Sequence, residues 1–261
     1  MEIKDNLRVT LVQVDLAWEN PEKNRLDFEK IIIQMKGKSD LIIFPETFTT
    51  GFSIQANNLA EPMDGLTITW MRNLSQATEL AICGSLLIKD NDLFYNRFVF
   101  ITSDGGISFY DKRHLFSIGG ESLKFTPGDK RLIVSFFGWR IALYTCYDIR
   151  FPVWCRNRND TDLMIFAANW PASRQEVWKT LLKARAIENQ VFVAGVNRIG
   201  TDGNGILYSG ESQMINSRGE VMTETVDPDN GMVTYEIPKQ ELLNFREKFP
   251  VANDADSFLI I

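Results

Sequence analysis

Four short runs of almost unbroken apolar residues constrain the fold of this chain more than any other feature. They are "DLIIFPE" (40–46), "LAICGSLLI" (80–88), "DLMIFAANW" (162–170) and "VFVAGVN" (191–197). A run of this kind indicates a strand buried on both faces, because a strand with one wet face would alternate apolar and polar residues. Strands of this type need cover on both sides, so we expect sheets covered by helices.

The segments between these runs predict helices and hairpins. Apolar residues recur at helical spacing after Asn20-Pro21, and further helices are predicted over 67–80, over 173–190 with Ser173 and Glu176 as a capping box, and over about 238–248. Antiparallel hairpins are predicted around "TSDGG" (102–106) and around Gly138. Short strands with turns at 216–220 and 227–231 fill the region 205–237. With no linker or repeat, we expect one α/β domain over residues 1–261.

Charge and composition exclude several classes of partner. The net charge of -6 argues against a nucleic-acid surface, since phosphate binding is driven by clustered Lys and Arg. No stretch approaches the roughly 18 to 20 apolar residues that a membrane span requires, and the amino-terminal segment lacks the layout of a signal peptide. We therefore expect a cytoplasmic protein that acts on a small molecule.

The counts of histidine and cysteine limit the chemistry. One histidine and three cysteines without CxxC spacing make a zinc site improbable and indicate free thiols in a reducing compartment. We expect no metal site. Cys83 lies inside an apolar strand and is predicted to be a core residue, whereas Cys155 lies in a polar turn without catalytic neighbours.

Three residues that can carry chemistry each stand at the end of an apolar strand. Cys146 follows "IALYT" before a turn, Glu46 ends "LIIFPE", and Lys112 follows "SFYD". Taken singly, Cys146 fits a small core residue, Glu46 a capping or salt-bridging residue, and Lys112 a solvated loop cation. Taken together they supply a thiol nucleophile, a general base and a cation for an oxyanion. Glu121, in the Gly-flanked loop "IGGES", could reach the same cleft.

The segments "LIIFPE", "YDKRHLF" and "LYTCYDIRFPVW" resemble the three signature segments of the nitrilase, or carbon-nitrogen hydrolase, superfamily. "ANWP" (168–171), "ARAIENQVFVAGVNRIGTDGNG" (184–205) and "REKFP" (246–250) resemble its bacterial omega-amidase branch, so the resemblance covers roughly residues 6–258. It implies a four-layer α-β-β-α sandwich, a homodimer and a cofactor-independent hydrolysis of the terminal amide of 2-oxo acid amides.

The resemblance also implies roles for individual residues. Cys146 would be the nucleophile, Glu46 the general base and Lys112 the cation at the oxyanion, helped by the backbone N–H of Tyr147. Glu121 matches the second glutamate of the family's amidases, where that residue positions the substrate and supports the lysine.

A 2-oxo acid brings a carboxylate that an arginine would bind best. Arg174, near a predicted helix N-terminus, is the first candidate. Arg150 is instead predicted to pair with Asp148, and Phe116 and Trp170 are candidate apolar walls.

Other functions remain open at this point. The chain could be a different amidase or a nitrilase of the same superfamily, or a catalytically silent member that binds a metabolite. His114 could form a Cys-His dyad, but no Asn or Asp is evident to orient it, and a structural or rim position is preferred. "GTDGNG" (200–205) lacks the spacing of a nucleotide-binding loop and is predicted to be a turn.

Overall fold

The computed structural model describes residues 3–222 and 231–260. Within these ranges the chain forms thirteen strands: β1 (Asn6–Val12), β2 (Leu41–Ile43), β3 (Ala81–Asp90), β4 (Leu93–Ile101), β5 (Ile107–Asp111), β6 (Ile133–Phe136), β7 (Trp139–Thr145), β8 (Leu163–Ala168), β9 (Phe192–Asn197), β10 (Ile199–Thr201), β11 (Leu207–Ser209), β12 (Gln213–Ile215) and β13 (Met232–Pro238). The same ranges contain five α-helices: α1 (Pro21–Gln34), α2 (Ala56–Leu59), α3 (Leu66–Thr78), α4 (Gln175–Asn189) and α5 (Lys239–Lys248).

Eleven of these strands build two mixed sheets of similar design. The six-stranded sheet has the order β13-β1-β2-β3-β4-β5, and the five-stranded sheet has the order β12-β9-β8-β7-β6. In each sheet three central strands run parallel, β1-β2-β3 in one and β7-β8-β9 in the other, and the flanking strands are antiparallel. The predicted hairpins are β4-β5 and β6-β7.

The two sheets face each other and helices cover their outer faces. β1 contacts β9 and β4 contacts β7 across the sheet interface, where the rings of Phe100 and Phe136 pack edge to face. α1 and α3 pack on the six-stranded sheet through Phe28 and Ile68, and α4 packs on β9 and β12. The layers therefore follow the order helix, sheet, sheet, helix, which confirms the predicted α-β-β-α sandwich.

This layering explains the unbroken apolar runs. Successive side chains of a strand point to opposite faces, and in β3 Ala81 and Cys83 enter the core between the sheets while Ile82 and Leu86 enter the core under α1 and α3. The positions from Ala81 to Ile88 are therefore all buried, and only Lys89 and Asp90 at the end of the strand reach the surface. The prediction that Cys83 is a core residue is confirmed, since its side chain has no exposed surface.

One local prediction is wrong, and another lies mostly outside the described residues. The predicted capping box of Ser173 and Glu176 is wrong: α4 begins at Gln175, after a 3-10 turn at Ala172–Arg174, and no side chain of the described residues caps it. That turn starts after Pro171, whose carbonyl accepts from the Arg174 amide, and it shifts the helix start past Ser173. Of the predicted turn at 227–231, residues 227–230 lie outside the described residues. None of the helices within 3–222 and 231–260 has the length and apolar character of a transmembrane segment.

The segments that leave β2, β5, β7 and β8 meet at one edge of the sandwich. In parallel strands the carboxyl ends lie at the same edge, and this edge is where α/β proteins place their sites. Glu46 follows β2, Lys112 follows β5, Cys146 follows β7 and Asn169 follows β8.

Candidate active site

Glu46 is completely buried and is surrounded by hydrogen-bond donors. Its Oε1 accepts from Nζ of Lys112 at 2.8 Å and from Nδ2 of Asn96 at 2.9 Å, and its Oε2 accepts from the backbone N–H of Asn169 at 2.9 Å. A buried carboxylate is tolerated only when it is paired and hydrogen-bonded. Donors from both sheets therefore fix this carboxylate at the strand ends.

Lys112 lies between two carboxylates and is also buried. Its Nζ is 2.8 Å from Oε1 of Glu46 and 2.9 Å from Oε2 of Glu121. Burial by itself would lower the pKa of Lys112, but the negative charges of Glu121 and Glu46 outweigh burial and raise the pKa. The ammonium therefore stays charged inside the protein, contrary to the reading of Lys112 as a solvated loop cation.

Glu121 begins a 3-10 turn, Glu121–Leu123, in the loop after β5, and only 1% of it is exposed. Besides Lys112 and Asn96, the backbone N–H of Phe116 donates to its Oε2 at 2.6 Å. Burial raises the pKa of Glu121, the ammonium of Lys112 lowers it, and the neighbouring Glu46 raises it again, with a net rise. Two carboxylates therefore share one ammonium.

Cys146 starts the 3-10 turn Cys146–Arg150 at the end of β7, and its φ of 43° is unusual for a residue with a side chain. Its Sγ lies 3.9 Å from the carbonyl oxygen of Asn169. Burial raises the pKa of the thiol well above its ordinary value, as do the charge of Glu46 and a hydrogen bond to that carboxylate, while Lys112 opposes them. The sulfur is therefore a protonated thiol beside a carboxylate at neutral pH.

Asp148 holds the turn that carries Cys146. Its Oδ2 accepts from the Thr145 N–H at 3.0 Å and from the Tyr110 hydroxyl at 2.7 Å, and its Oδ1 accepts from the His114 backbone N–H at 3.0 Å and lies 2.8 Å from Nδ1 of His114. Tyr110 and His114 flank Lys112 in sequence. One buried carboxylate thus joins the segment of Lys112 to the turn of Cys146.

This network corrects two expectations. Arg150 was predicted to pair with Asp148, but the Asp148 carboxylate is already occupied by its four other hydrogen bonds. Within the described residues the Arg150 guanidinium instead borders the cavity and lies over the Trp170 ring at 5.1 Å. His114 does have an aspartate to orient it, which the sequence did not reveal. Its ring stacks on Phe151 at 3.7 Å, and it is not among the described residues that line the cavity. This fits the preferred structural or rim position.

A cavity of about 540 Å³ opens above these groups. Of the residues that the sequence proposed as catalytic, three line it: Glu46, Lys112 and Cys146. All four proposed substrate-binding residues line it as well, namely Phe116, Tyr147, Trp170 and Arg174. Among the described residues Glu121 does not line the cavity and reaches it only through Lys112.

The cavity wall carries two guanidinium groups. That of Arg174 lies over the Phe116 ring at 5.6 Å, and that of Arg150 lies over Trp170. Across residues 3–222 and 231–260 neither group forms an ion pair or donates a side-chain hydrogen bond. Both cations are therefore free to bind an anionic group that enters the cavity.

Sequence reasoning missed three contributors to the site. Asn96, in the apolar strand β4, donates to both glutamates. Its polar side chain within an apolar run was the one feature of the sequence that could have revealed it. Asn169 donates from its backbone to the Glu46 carboxylate and from its side chain to the Glu46 carbonyl. The segment 200–205 does form the predicted turn, in which Asp202 accepts from two backbone amides, and the turn also borders the cavity.

Cys155 lies in a turn, as its polar neighbours predicted, but the turn does not expose it. It is fully buried, and its Sγ contacts the carbonyl of Asp148 at 3.3 Å. No cluster of three or more His, Cys, Asp or Glu residues able to hold a metal occurs in the described part of the chain.

The geometry is that of a thiol, a carboxylate and an ammonium at the strand ends of an α-β-β-α sandwich. The chain belongs to the carbon-nitrogen hydrolase family, whose model matches residues 8–247, so the predicted membership is confirmed. It is 42% identical over 252 residues to the omega-amidase YafV of Escherichia coli strain K12, covering 97% of this chain and 98% of that protein.

Two further relatives cover nearly the whole chain. The 2-oxoglutaramate amidase of Bacillus subtilis strain 168 is 31% identical over 251 residues, with 94% of this chain and 96% of that protein covered. The crystal structure of XC1258 from Xanthomonas campestris, a CN-hydrolase superfamily protein with an arsenic adduct in its active site, superposes with a TM-score of 0.95. Its sequence is 44% identical, and 99% of this chain and 100% of that chain are covered.

Proposed function

We propose that this protein is an omega-amidase that hydrolyses the terminal amide of a 2-oxo acid amide, such as 2-oxoglutaramate or 2-oxosuccinamate, to the dicarboxylate and ammonia. The observation that carries the proposal is the convergence of Cys146, Glu46 and Lys112 on one cavity. Similarity to an omega-amidase and to a 2-oxoglutaramate amidase over nearly the full chain supports the substrate class.

In the proposed first step, Sγ of Cys146 attacks the amide carbonyl while its proton passes to Glu46. The base is needed because the raised pKa of Cys146 keeps the sulfur protonated until attack. The charge that develops on the carbonyl oxygen is stabilised by the ammonium of Lys112 and the backbone N–H of Tyr147.

In the second step, Glu46 returns that proton to the amide nitrogen and the carbon-nitrogen bond breaks. Ammonia departs, and the acyl group remains bound to Cys146 as a thioester. A water molecule then attacks the thioester carbonyl and gives its proton to Glu46. The carbon-sulfur bond breaks, the sulfur recovers a proton, and the carboxylic acid leaves. Glu121 keeps Lys112 in position through both steps by its ion pair of 2.9 Å.

The carboxylate of the substrate is proposed to bind Arg174. This guanidinium has no competing anion in the described part of the chain, and it lies over the Phe116 ring at the cavity wall. Phe116 and Trp170 form the apolar walls beside the short carbon chain. Arg150 is the alternative, because its guanidinium borders the same cavity.

The direct test is ammonia release from a panel of amides. We expect turnover of 2-oxo acid omega-amides and at most slow turnover of simple nitriles and of N-carbamoyl amino acids. Cys146→Ala should remove turnover, while Cys155→Ala, a change at a buried cysteine outside the cavity, should retain it. Undiminished turnover by Cys146→Ala would refute the mechanism.

Other outcomes would select the alternatives. Activity confined to nitriles or to other amides would indicate another member of the superfamily. A catalytically silent binding protein would turn over none of the panel, and Cys146 would form no adduct with an electrophilic amide analogue in intact-mass spectra.

We also propose that the enzyme is a cytoplasmic homodimer. The family resemblance supports the dimer, and the three free cysteines agree with a reducing compartment. Light scattering should give twice the mass of one chain, 29.9 kDa; the mass of a monomer would contradict it.

A further inference from the structure

Asn96 is a polar residue in the middle of the apolar strand β4. It is 1% exposed and does not line the cavity that the described residues enclose. Its backbone carbonyl accepts the amide N–H of Lys112 at 3.0 Å, so the strand places its side chain beside the ammonium. An amide at such a position needs hydrogen-bond partners, because burial of an unpaired polar group costs free energy.

Both N–H bonds of the Asn96 amide are directed at carboxylates. Nδ2 lies 2.9 Å from Oε1 of Glu46 and 3.0 Å from Oε1 of Glu121. The same two oxygens also accept from Nζ of Lys112, at 2.8 Å and 3.1 Å. Asn96 and Lys112 therefore bridge the same pair of carboxylates.

The other end of the amide shows which contact matters. Oδ1 of Asn96 is buried and has no hydrogen-bond partner among the described residues. Rotation of the amide by half a turn would place this oxygen against two carboxylates, where it could donate nothing. The observed orientation thus leaves Oδ1 unpaired and directs both N–H groups of Asn96 at the glutamates.

The charges explain why a neutral double donor fits here. Two carboxylates share one ammonium here, and burial together with repulsion from Glu46 raises the pKa of Glu121, which favours a proton on that residue. Hydrogen bonds donated to the ionised form oppose that proton. A second cation would also oppose protonation of the carboxylates. Its full positive charge, however, would make Glu46 a weaker acceptor for the proton of the thiol.

We propose that Asn96 is a positioning residue that keeps Glu46 and Glu121 ionised and in hydrogen-bonding contact with Lys112. Glu46 is then available to accept the proton of Cys146. The proposal rests on the role of Glu46 as the base in the proposed function. It adds a residue that touches neither the sulfur nor the cavity.

The test compares Asn96→Leu, which keeps the size and removes both donors, with Phe98→Leu, a change at a buried position on the same face of β4. Two readouts are recorded against pH: kcat/KM for the best amide of the panel, and the rate at which iodoacetamide alkylates Cys146. For Asn96→Leu we expect the acidic limb of both profiles to move up by about one pH unit, since the carboxylates hold a proton longer. We expect kcat/KM at pH 7 to fall about 10- to 100-fold.

Two more variants keep the test decisive if Asn96→Leu folds poorly. Asn96→Ser has one hydroxyl donor and should give a smaller shift of the same sign. Asn96→Asp places a third negative charge beside the two carboxylates, so it should move the acidic limb up at least as far as Asn96→Leu does. Phe98→Leu should keep the wild-type profile even if its melting temperature falls.

The proposal is overturned if folded Asn96→Leu or Asn96→Ser has the wild-type pH profile, or if Phe98→Leu shifts it equally. Failure of the proposed function looks different. If the wild-type protein hydrolyses no amide of the panel, the rate of Cys146 alkylation can still be measured against pH. The shift of that profile between wild type and Asn96→Leu then decides the role of Asn96.

Discussion

At the scale of single residues, the state of the Cys146 thiol decides what its neighbours must do. Burial and the nearby Glu46 raise the pKa of this thiol, whereas Lys112 alone would lower it. The resting protein therefore holds a thiol and not a thiolate at neutral pH. Attack on an amide then requires proton transfer during the step itself, which only an adjacent base can supply.

Glu46→Gln should lower kcat/KM for the preferred amide about 10²- to 10⁴-fold, the usual contribution of a general base. The matched control is Glu19→Gln, which also removes a carboxylate that lines the cavity, but not the one beside the thiol. Steady-state assays of both variants check this, with circular dichroism to establish folding. Near-normal turnover by a folded Glu46→Gln protein would exclude Glu46 as the base.

Arg174→Met should raise KM for a 2-oxo acid amide about 10- to 100-fold, which corresponds to one charge-assisted hydrogen-bonded pair. A simple amide without a carboxylate should show no such change. Arg150→Met is the matched comparison, because both guanidiniums lie on aromatic rings in the same cavity. If only Arg150→Met raises KM, the substrate carboxylate binds Arg150 instead.

At the scale of secondary-structure elements, Asp148 connects the end of β5 to the end of β7. It accepts from Tyr110 and His114 on one side and from Thr145 on the other. Asp148 therefore ties the backbone around Lys112 to the turn of Cys146, while Glu46 and Glu121 hold the ammonium itself. The sheets bring the strand ends to the same edge, and Asp148 fixes their relative position.

Asp148→Asn should lower the free energy of unfolding by about 3 kcal/mol, because the new amide group faces donors and leaves them unsatisfied in the interior. Urea denaturation measures the loss. Asp129→Asn, at an exposed position, should change stability by at most about 0.5 kcal/mol. A loss from Asp148→Asn as small as that of the control would show that the network does not stabilise the turn.

At the scale of the whole molecule, Asp162 joins the last helix to the five-stranded sheet. Its carboxylate is 2.7 Å from Nη2 of Arg140 on β7, 3.0 Å from Nη1 of Arg246 on α5, and 3.4 Å from Nζ of Lys239, where α5 begins. Because α5 follows β13 of the six-stranded sheet, this cluster connects the two sheets away from their apolar interface. Burial alone would raise the pKa of Asp162, but the hydrogen bonds and charge of Arg140 lower it.

A carboxyl group with a lowered pKa in the folded state stabilises the fold above its unfolded pKa of about 3.9, and this contribution is lost as the pH falls through the folded value. Asp162→Asn should therefore cost about 3 kcal/mol at pH 7 and less below about pH 3. Urea unfolding of both proteins at several pH values tests this. A difference that stays constant with pH would show that the charge of Asp162 contributes nothing.

Sequence patterns predicted the strands, the helices and the residues at the strand ends, whereas the order of the layers followed only from the resemblance to the carbon-nitrogen hydrolase family. Unbroken apolar runs required strands buried on both faces, and Asp-Gly-Gly required a hairpin, because both patterns reflect local backbone geometry and the side-chain period. The same patterns put Glu46, Lys112 and Cys146 at strand ends. Their joint occurrence, more than any one of them, predicted the family that the comparisons confirm.

The groups that meet around those strand ends could be recognised only in the folded protein. Asn169 and Glu46 are 123 residues apart, and Asn96 and Glu46 are 50 apart, so their hydrogen bonds leave no periodic trace in the chain. For the same reason the partner of Asp148 was misjudged as its neighbour Arg150. Local patterns report how the backbone is shaped, whereas the pairing of buried polar groups is fixed by sheets that bring distant segments within 3 Å of each other.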